Sequence, residues 1–208
     1  MKNLQDLKNE IIEYGKLAGI KNFTPGYSGN ISARYGDKIL ITASGTSNGY
    51  LSDEDLVVMD FNGNLVDGDK KPSSEKMLHV QFYKQREDVN YIIHVHPPFL
   101  SAFACCHIPL NEHLMAENTF YFGQIPLAEY GLPGSMDLVK KTSIYFDEYD
   151  AVLMANHGFI VGDKTLKDAF LKLELAESYA QVVCNTKILG GAVPFTEEQV
   201  AEIYSLRK

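Results

Sequence analysis

The sequence predicts an α/β protein in which a mixed, largely antiparallel sheet is covered by helices, and three observations predict this class. Short segments of alternating polarity, separated by glycine and asparagine turns, fill the first third of the chain. In the rest, short apolar segments alternate with segments of helical period. Of the 208 residues, 45% are hydrophobic and 22% charged, the balance of an ordinary globular protein. This length favours one domain over residues 1–208.

The first half of the chain is expected to contain two helices and an antiparallel meander. Apolar residues recur at helical spacing over residues 3–18, which predicts an amphipathic helix. Alternation and turn residues then predict four strands, over 31–35, 38–42, 57–61 and 65–66. A second helix is expected to begin near Ser73 or Ser74 and to end before Asp88, because the period of the pattern changes there.

Apolar strands and helices alternate in the second half. Residues 91–96 are predicted to form a short strand that Pro97 ends, and a helical segment follows over 99–106. A second buried strand is predicted over 151–157, with a returning strand over 159–162. The longest helix is predicted over about 165–188, and Thr196 with Gln199 has the spacing of a capping box at the start of a last short helix.

Charge and composition exclude several classes of partner. Lys and Arg number 19 and Asp and Glu 27, a formal net charge of −8, and basic residues form no cluster that could bind a nucleic-acid backbone. No segment approaches the roughly 20 apolar residues that cross a bilayer, and the first residues lack the apolar core of a signal peptide. We therefore expect a cytoplasmic protein with no nucleic-acid or membrane partner. The three cysteines are expected to be reduced and buried.

Three histidines are candidate metal ligands. His94 and His96 lie two residues apart on a predicted strand, so both imidazoles leave the same face of the sheet. A pair of this kind is equally compatible with two hydrogen-bonded core histidines. His157, at the end of another apolar strand, would complete a three-histidine site with an open fourth position, as in catalytic zinc sites. The spacing leaves both interpretations open.

The remaining histidines favour a structural role. His79 lies within the second predicted helix, and His107 and His113 lie in an irregular segment. None of these three has a partner at the spacing of metal ligands.

Three short segments could bind an anion. Ser28-Gly29-Asn30 and Ser44-Gly45-Thr46 are glycine-containing turns at strand ends, which offer hydroxyl, amide and backbone N–H donors. Pro72-Ser73-Ser74-Glu75 opens a helix, where the serines would lie at the positive end of the helix dipole. Taken singly, each segment is as well explained by an ordinary turn or a helix N-cap.

Taken together, the motifs identify a family. Six segments occur in the order and near the spacing of the class II aldolase and adducin family, which the sequence resembles over nearly its whole length. They are Ser28-Gly29-Asn30-Ile31-Ser32-x-Arg34, Ile41-Thr42-x-Ser44-Gly45, Lys71-Pro72-Ser73-Ser74-Glu75 with Leu78-His79, Arg86-x-Asp88-Val89, His94-x-His96 and Asn156-His157-Gly158.

The resemblance implies a single α/β/α domain that assembles as a cyclic homotetramer with active sites at subunit interfaces. It implies one zinc ion per subunit, or manganese or cobalt, held by His94, His96 and His157, with Glu75 as the catalytic acid/base. The implied donors to a substrate phosphate are Gly29, Asn30, Ser44, Gly45, Ser73 and Ser74.

The implied reaction is cleavage of a ketose 1-phosphate resembling fuculose 1-phosphate. The products would be dihydroxyacetone phosphate and a small aldehyde, formed through a metal-stabilised enediolate. The chain departs from the family pattern at Leu114, where a proton-transferring tyrosine is expected. Tyr121 or Tyr130 could replace it, or Tyr204 could do so from a neighbouring subunit.

Other members of the same fold remain alternatives. They include sugar-phosphate 4-epimerases, decarboxylases of 3-oxo-tetronate phosphates, the methylthioribulose-1-phosphate dehydratase and non-catalytic adducin-like modules. Epimerases carry aspartate in place of Glu75, and the decarboxylases typically carry lysine in place of Ser74. Adducin-like chains lack the three metal ligands, so the aldolase interpretation is favoured.

Overall fold

The protein is described here by a computed structural model, in which residues 2–207 are placed. The strands are β1 (Asn30–Tyr35), β2 (Lys38–Thr42), β3 (Leu56–Asp60), β4 (Leu65–Asp67), β5 (Tyr91–Val95), β6 (Leu127–Ala128), β7 (Ala151–Met154) and β8 (Gly158–Asp163). The helices are α1 (Leu4–Ile20), α2 (Lys76–Gln85), α3 (Pro98–Cys105), α4 (Ala116–Tyr121), α5 (Met136–Ser143), α6 (Leu166–Ile188) and α7 (Glu197–Ser205).

The eight strands form one sheet in the order β4-β3-β2-β1-β5-β8-β7-β6. The first four strands make the predicted meander, and every neighbouring pair is antiparallel except β6 with β7. Strand β5 lies beside β1 and β8, with His94 opposite Asn30 in one pairing and opposite Ile160 in the other. The centre of the sheet therefore brings the predicted histidine pair next to the first anion-binding turn.

Helices cover both faces of the sheet, which confirms the predicted fold class. Successive residues of β5 point to opposite faces, so Ile93 belongs to one apolar core and Ile92 to the other. The core that contains Ile93 also includes buried residues of α1, α3 and α6, whereas the core that contains Ile92 includes those of α2 and α5. The result is a three-layered arrangement with two separate cores.

Two predicted boundaries near the candidate site are wrong. Helix α2 begins at Lys76, later than Ser73 or Ser74, because the chain before it still pairs with the sheet: the Ser73 N–H donates to the Thr42 carbonyl at 3.2 Å. Strand β7 ends at Met154, so His157 is not at a strand end. It is the last residue of a three-residue turn in which Asn156 adopts a left-handed φ of 54°.

The predicted burial of the cysteines is also wrong. Cys105 and Cys106 are exposed and Cys184 is partly buried, although all three are free thiols as expected. The exposed pair lies at the C-terminal end of α3. Within residues 2–207, none of the helices is both long enough and apolar enough to cross a bilayer.

Candidate metal and substrate site

The three predicted histidines converge at one end of the sheet. His94 is on β5 and fully buried, His96 is the residue after that strand, and His157 comes from the turn between β7 and β8. The ring centroids lie 4.8 to 5.0 Å apart in all three pairs. The ligand atoms of these histidines lie within 4.8 Å of one another, which makes them the one metal-competent group of three found among the described residues.

The geometry of these rings suits a divalent metal. The His94 Nδ1–H donates to the Phe159 carbonyl at 2.9 Å, so in the neutral ring the lone pair is on Nε2 and faces the site. The Nε2 atoms of His94 and His96 are 3.1 Å apart. Two nitrogens bound to one tetrahedral zinc would lie about 3.3 Å apart, given Zn–N bonds of about 2.0 to 2.1 Å. The donor set therefore fits zinc, and imidazole also serves manganese and cobalt.

Glu75 completes the convergence of donor atoms. Its Oε2 lies 3.1 Å from His94 Nε2, and its Oε1 lies 3.1 Å from His157 Nε2. The latter oxygen has no well-directed hydrogen bond from any described residue, although it is buried. A buried carboxylate oxygen that faces imidazole nitrogens without a proton donor is the arrangement that a cation would satisfy.

Charge interactions keep Glu75 ionised. Burial alone would raise the pKa of this carboxyl, but the nearby His94 and His157 hold it well below its usual range. Burial lowers the pKa of His96 to about 3, and the neighbouring imidazoles add to that effect. Burial alone would lower the pKa of His94, but the charge and hydrogen bond of Glu75 raise it, so a metal that binds Nε2 of this ring would displace a proton.

Glu75 occupies the N-cap position of α2, but its side chain does not cap the helix. The Glu75 N–H donates to the Ser73 hydroxyl at 3.2 Å, and Asn30 Nδ2 donates to Glu75 Oε2 at 3.0 Å. The carboxylate thus points towards the histidines instead of back along its own helix.

A cavity of about 420 Å³ opens beside the histidines. Glu75, His96 and His157 line this cavity, together with all six predicted phosphate donors. The six donors are Gly29, Asn30, Ser44, Gly45, Ser73 and Ser74. No backbone carbonyl of the described residues accepts a hydrogen bond from the N–H of Gly45 or Ser74. These N–H groups remain available to an anion.

Gly29 brings the first turn directly behind the metal ligands. Its φ is +80°, a conformation that favours glycine, and a Cβ there would lie 2.5 Å from the His94 carbonyl oxygen. Close backbone approach therefore requires glycine at this position.

The predicted tyrosines lie elsewhere in the single chain. Tyr204 packs edge-on against His113, with ring centroids 6.0 Å apart, and under the guanidinium of Arg207. It does not line the cavity, and neither Tyr121 nor Tyr130 does so. Leu114, at the place of the family tyrosine, is partly buried against the core beneath α1, α3 and α6.

The three histidines outside the metal site each have a hydrogen-bond partner. His107 Nε2 lies 2.6 Å from Asn156 Oδ1, and His113 Nδ1 lies 3.2 Å from the Thr119 hydroxyl. His79 was expected to have a structural role only. Its Nε2 lies 2.5 Å from Asn30 Oδ1, and Asn30 in turn contacts Glu75. Its position four residues after Glu75 on α2 is the signal that could have identified it.

Glu177 is a further residue that the sequence did not single out. This buried carboxylate of α6 accepts the backbone N–H groups of Phe99 and Leu100, at 2.9 and 2.8 Å, at the start of α3. It anchors the start of α3, two residues after His96.

Comparison with known proteins identifies the family. The profile of the Class II Aldolase and Adducin N-terminal domain matches residues 9–184. An L-fuculose phosphate aldolase of Methanocaldococcus jannaschii is 34% identical over 175 residues, 84% of this chain and 94% of the relative. A 5-deoxy-D-ribulose 1-phosphate aldolase of Bacillus thuringiensis serovar kurstaki is 32% identical over 204 residues, 96% of this chain and 94% of the relative.

A solved structure is similar to nearly the whole chain. This L-fuculose 1-phosphate aldolase is 32% identical and superposes with a TM-score of 0.91, covering 99% of this chain and 97% of that chain. The profile match, the relatives and the shared fold agree with the six motifs. The chain therefore belongs to the class II aldolase and adducin family.

Proposed function

We propose that this protein is a metal-dependent cytoplasmic class II aldolase, a lyase that cleaves a ketose 1-phosphate into dihydroxyacetone phosphate and a small aldehyde. One observation carries the proposal: a single cavity is lined by the phosphate-binding turns, by Glu75 and by two of the three metal-competent histidines. The names of the relatives, which act on fuculose phosphate and on 5-deoxy-D-ribulose 1-phosphate, support a phosphorylated ketose as the substrate.

The phosphate group would bind at the end of the cavity formed by the three turns. Those turns offer uncharged donors, namely serine hydroxyls, backbone N–H groups and the second N–H of the Asn30 amide, whose first N–H is taken by Glu75. Binding through such donors orients the ketose without adding a positive charge near the reacting carbon.

Cleavage of the C3–C4 bond leaves an electron pair on C3, next to the C2 carbonyl. A divalent metal at His94, His96 and His157 would supply Lewis-acid stabilisation of the charge that develops on the substrate oxygens. The proton of the C4 hydroxyl leaves as the aldehyde forms, and one proton is added at C3 to give dihydroxyacetone phosphate. Glu75, at the cavity wall beside the metal ligands, is the residue we assign to proton transfer at C3.

The aldehyde half of the site is incomplete in one chain. Pro133 is the one residue of the segment 113–135 that lines the cavity. We propose that neighbouring subunits of a homotetramer complete it and that Tyr204 of a neighbouring subunit handles the proton of the C4 hydroxyl in place of the tyrosine missing at Leu114.

A substrate panel tests the proposal. Metal-loaded protein is incubated with fuculose 1-phosphate, 5-deoxyribulose 1-phosphate and other ketose 1-phosphates, and dihydroxyacetone phosphate is detected by a coupled reductase. We expect release of dihydroxyacetone phosphate with an equal amount of aldehyde from at least one of them. Release of carbon dioxide from a 3-oxo-tetronate phosphate, epimerisation at C4 or dehydration, without cleavage of any ketose 1-phosphate, would assign the protein to another enzyme of this fold.

A further inference from the structure

A row of buried polar side chains leads from Glu75 into the layer between β1 and α2. Asn30 Nδ2 is 3.0 Å from Glu75 Oε2, and Asn30 Oδ1 is 2.5 Å from His79 Nε2. His79 Nδ1 is 2.7 Å from the Ser32 hydroxyl, which is 2.8 Å from the Tyr83 hydroxyl. All of these side chains are buried, so a lost partner would leave a polar group unsatisfied.

The periods of β1 and α2 place these residues opposite one another. Asn30 and Ser32 are two residues apart on β1 and share one face of the sheet. Glu75, His79 and Tyr83 are four residues apart along α2 and share one side of the helix. Ser32 and His79 are fully buried, and Tyr83 is nearly so.

The Asn30 amide determines the direction of the hydrogen bonds in the row. Its Nδ2 donates to Glu75 Oε2, so its oxygen faces His79. His79 must then carry its proton on Nε2, which leaves Nδ1 to accept from Ser32. The Ser32 oxygen in turn accepts from Tyr83. Burial lowers the pKa of His79 to about 3, which keeps the ring neutral, as this pattern requires.

We propose that His79 is a positioning residue that, held by Ser32 and Tyr83, locks the Asn30 amide with its N–H towards Glu75 and so fixes the carboxylate at the catalytic centre. An unlocked amide could rotate by half a turn and present its oxygen to the carboxylate. The amide oxygen and the carboxylate oxygen would then face each other in a buried site with no proton between them, and Glu75 would move away. The inference rests on the proposed function for its kinetic part.

Kinetics of matched variants test this role. His79→Leu removes the donor to Asn30, and we expect kcat to fall by about 10- to 100-fold, the usual cost of losing an outer partner of a metal site. KM should rise less than kcat falls. Phosphate binding would lose the help of only one of six proposed residues, Asn30, whereas the amide contact that holds Glu75 depends on Asn30 itself. Metal affinity, measured by chelator competition, should change by less than about three-fold, because His94 keeps its hydrogen bond to the Phe159 carbonyl and His79 makes no hydrogen bond to any of the three histidines.

Conservative variants separate positioning from packing. His79→Gln retains an N–H within reach of Asn30 and should restore most of kcat. Tyr83→Phe removes the last hydroxyl of the row and should lower kcat, whereas Tyr179→Phe, which removes another buried hydroxyl that binds the Glu112 carbonyl, should not. The proposal is overturned if His79→Leu keeps the wild-type kcat, if His79→Gln is no better than His79→Leu, or if Tyr83→Phe and Tyr179→Phe behave alike. If His79→Leu does not fold, Ser32→Ala and Tyr83→Phe carry the same comparison.

A spectroscopic readout is independent of the reaction. In metal-free protein labelled with ¹⁵N-histidine, the His79 signals, assigned by their loss in a His79 variant, should show a protonated Nε2 and an unprotonated Nδ1. In Ser32→Ala the preference for this tautomer should weaken. A protonated Nδ1 in the wild type would overturn the proposal. If no ketose 1-phosphate is cleaved, the proposed function fails, while this spectrum still decides the arrangement of the row.

Discussion

Gly158 is predicted to be required for metal binding because of its contact with His96. A Cβ at this position would lie 2.5 Å from His96 Cδ2 and 2.7 Å from the Val95 carbonyl oxygen. Carbon atoms normally pack at about 3.5 to 4.0 Å, so Gly158→Ala must displace the His96 ring by about 1 Å. The φ of Gly158 is outside the left-handed region, so the substitution acts through this contact and not through backbone strain.

A displacement of that size is large for a metal ligand, since ligand bonds tolerate only about 0.2 Å. The metal dissociation constant of Gly158→Ala should therefore rise by at least about 10- to 100-fold, the cost of disturbing even an outer partner of a metal site. The assay is competition with a chromophoric chelator on metal-stripped protein, together with urea unfolding to confirm that the variant folds.

Gly162→Ala is the matched control on the same strand. A Cβ there would lie 2.9 Å from Val89 Cγ1 and 3.0 Å from Phe82 Cζ, which are apolar atoms away from the histidines. Overpacking should cost about 1 to 3 kcal/mol of unfolding free energy and leave metal affinity unchanged. If Gly158→Ala binds metal as tightly as the wild type does, or if both variants lose metal to the same extent, the reasoning is refuted.

Three further predictions concern proton transfer, phosphate binding and acid stability. Glu75→Gln should lower the rate of proton exchange on dihydroxyacetone phosphate by roughly 10²- to 10⁴-fold with little effect on the free energy of unfolding. Exchange at the wild-type rate would show that Glu75 is not the acid/base. Ser74→Ala should weaken the binding of phosphorylated substrates by about 1 to 3 kcal/mol in inhibition assays and leave the binding of free ketoses unchanged. Asp150 accepts hydrogen bonds from Arg86 and Lys172 at 2.7 and 2.5 Å. Burial alone would raise the pKa of Asp150, but the hydrogen bonds and charges of Lys172 and then of Arg86 hold that pKa below its ordinary value. Asp150→Asn should therefore cost about 1 to 3 kcal/mol of unfolding free energy at pH 7. The difference should shrink only below about pH 4, where Asp150 of the unfolded wild-type chain becomes protonated while folded Asp150 is still ionised; a difference unchanged at pH 3 would contradict this.

The predicted fold depended on elements long enough to show a period. Strands β1 to β3 and helices α1 and α6 all did so, and their order was sufficient to predict the layered sheet. Helices α4 and α5, of six and eight residues, were missed, whereas α3, also of eight residues, was predicted because Pro97 marks the end of the strand before it. The missed strand β6 has two residues and depends on pairing with the distant β7.

The site was predictable where its residues share one element and less so where they do not. Period two on β5 placed His94 beside His96, whereas only the hairpin turn at Asn156 brings His157 to them. The motif Asn30-Ile31-Ser32 predicts a turn and a strand. The contacts of Asn30 with Glu75 and of Ser32 with His79 depend on how α2 packs against β1, which the motif does not indicate. Contacts between elements are decided by tertiary packing, which local patterns do not encode.

The tyrosine question shows the same limit in another form. Leu114 occupies the position where the family resemblance implies a proton-transferring tyrosine. Where its replacement lies depends on contacts between subunits, and in the single chain Tyr204 packs on His113 and Arg207. Its assignment to catalysis therefore remains a prediction.

Titration of metal into the stripped protein tests whether cleavage depends on a metal ion held by the three histidines. Release of dihydroxyacetone phosphate from a ketose 1-phosphate substrate is followed as zinc is added to wild-type protein and to the variant with His94, His96 and His157 all changed to alanine. The rate should rise from near zero to a plateau at one metal ion per chain in the wild type, and it should stay near zero in the variant. Cleavage at the full rate in the stripped wild type, or a plateau reached by the triple variant, would show that the reaction does not depend on a metal ion at these histidines.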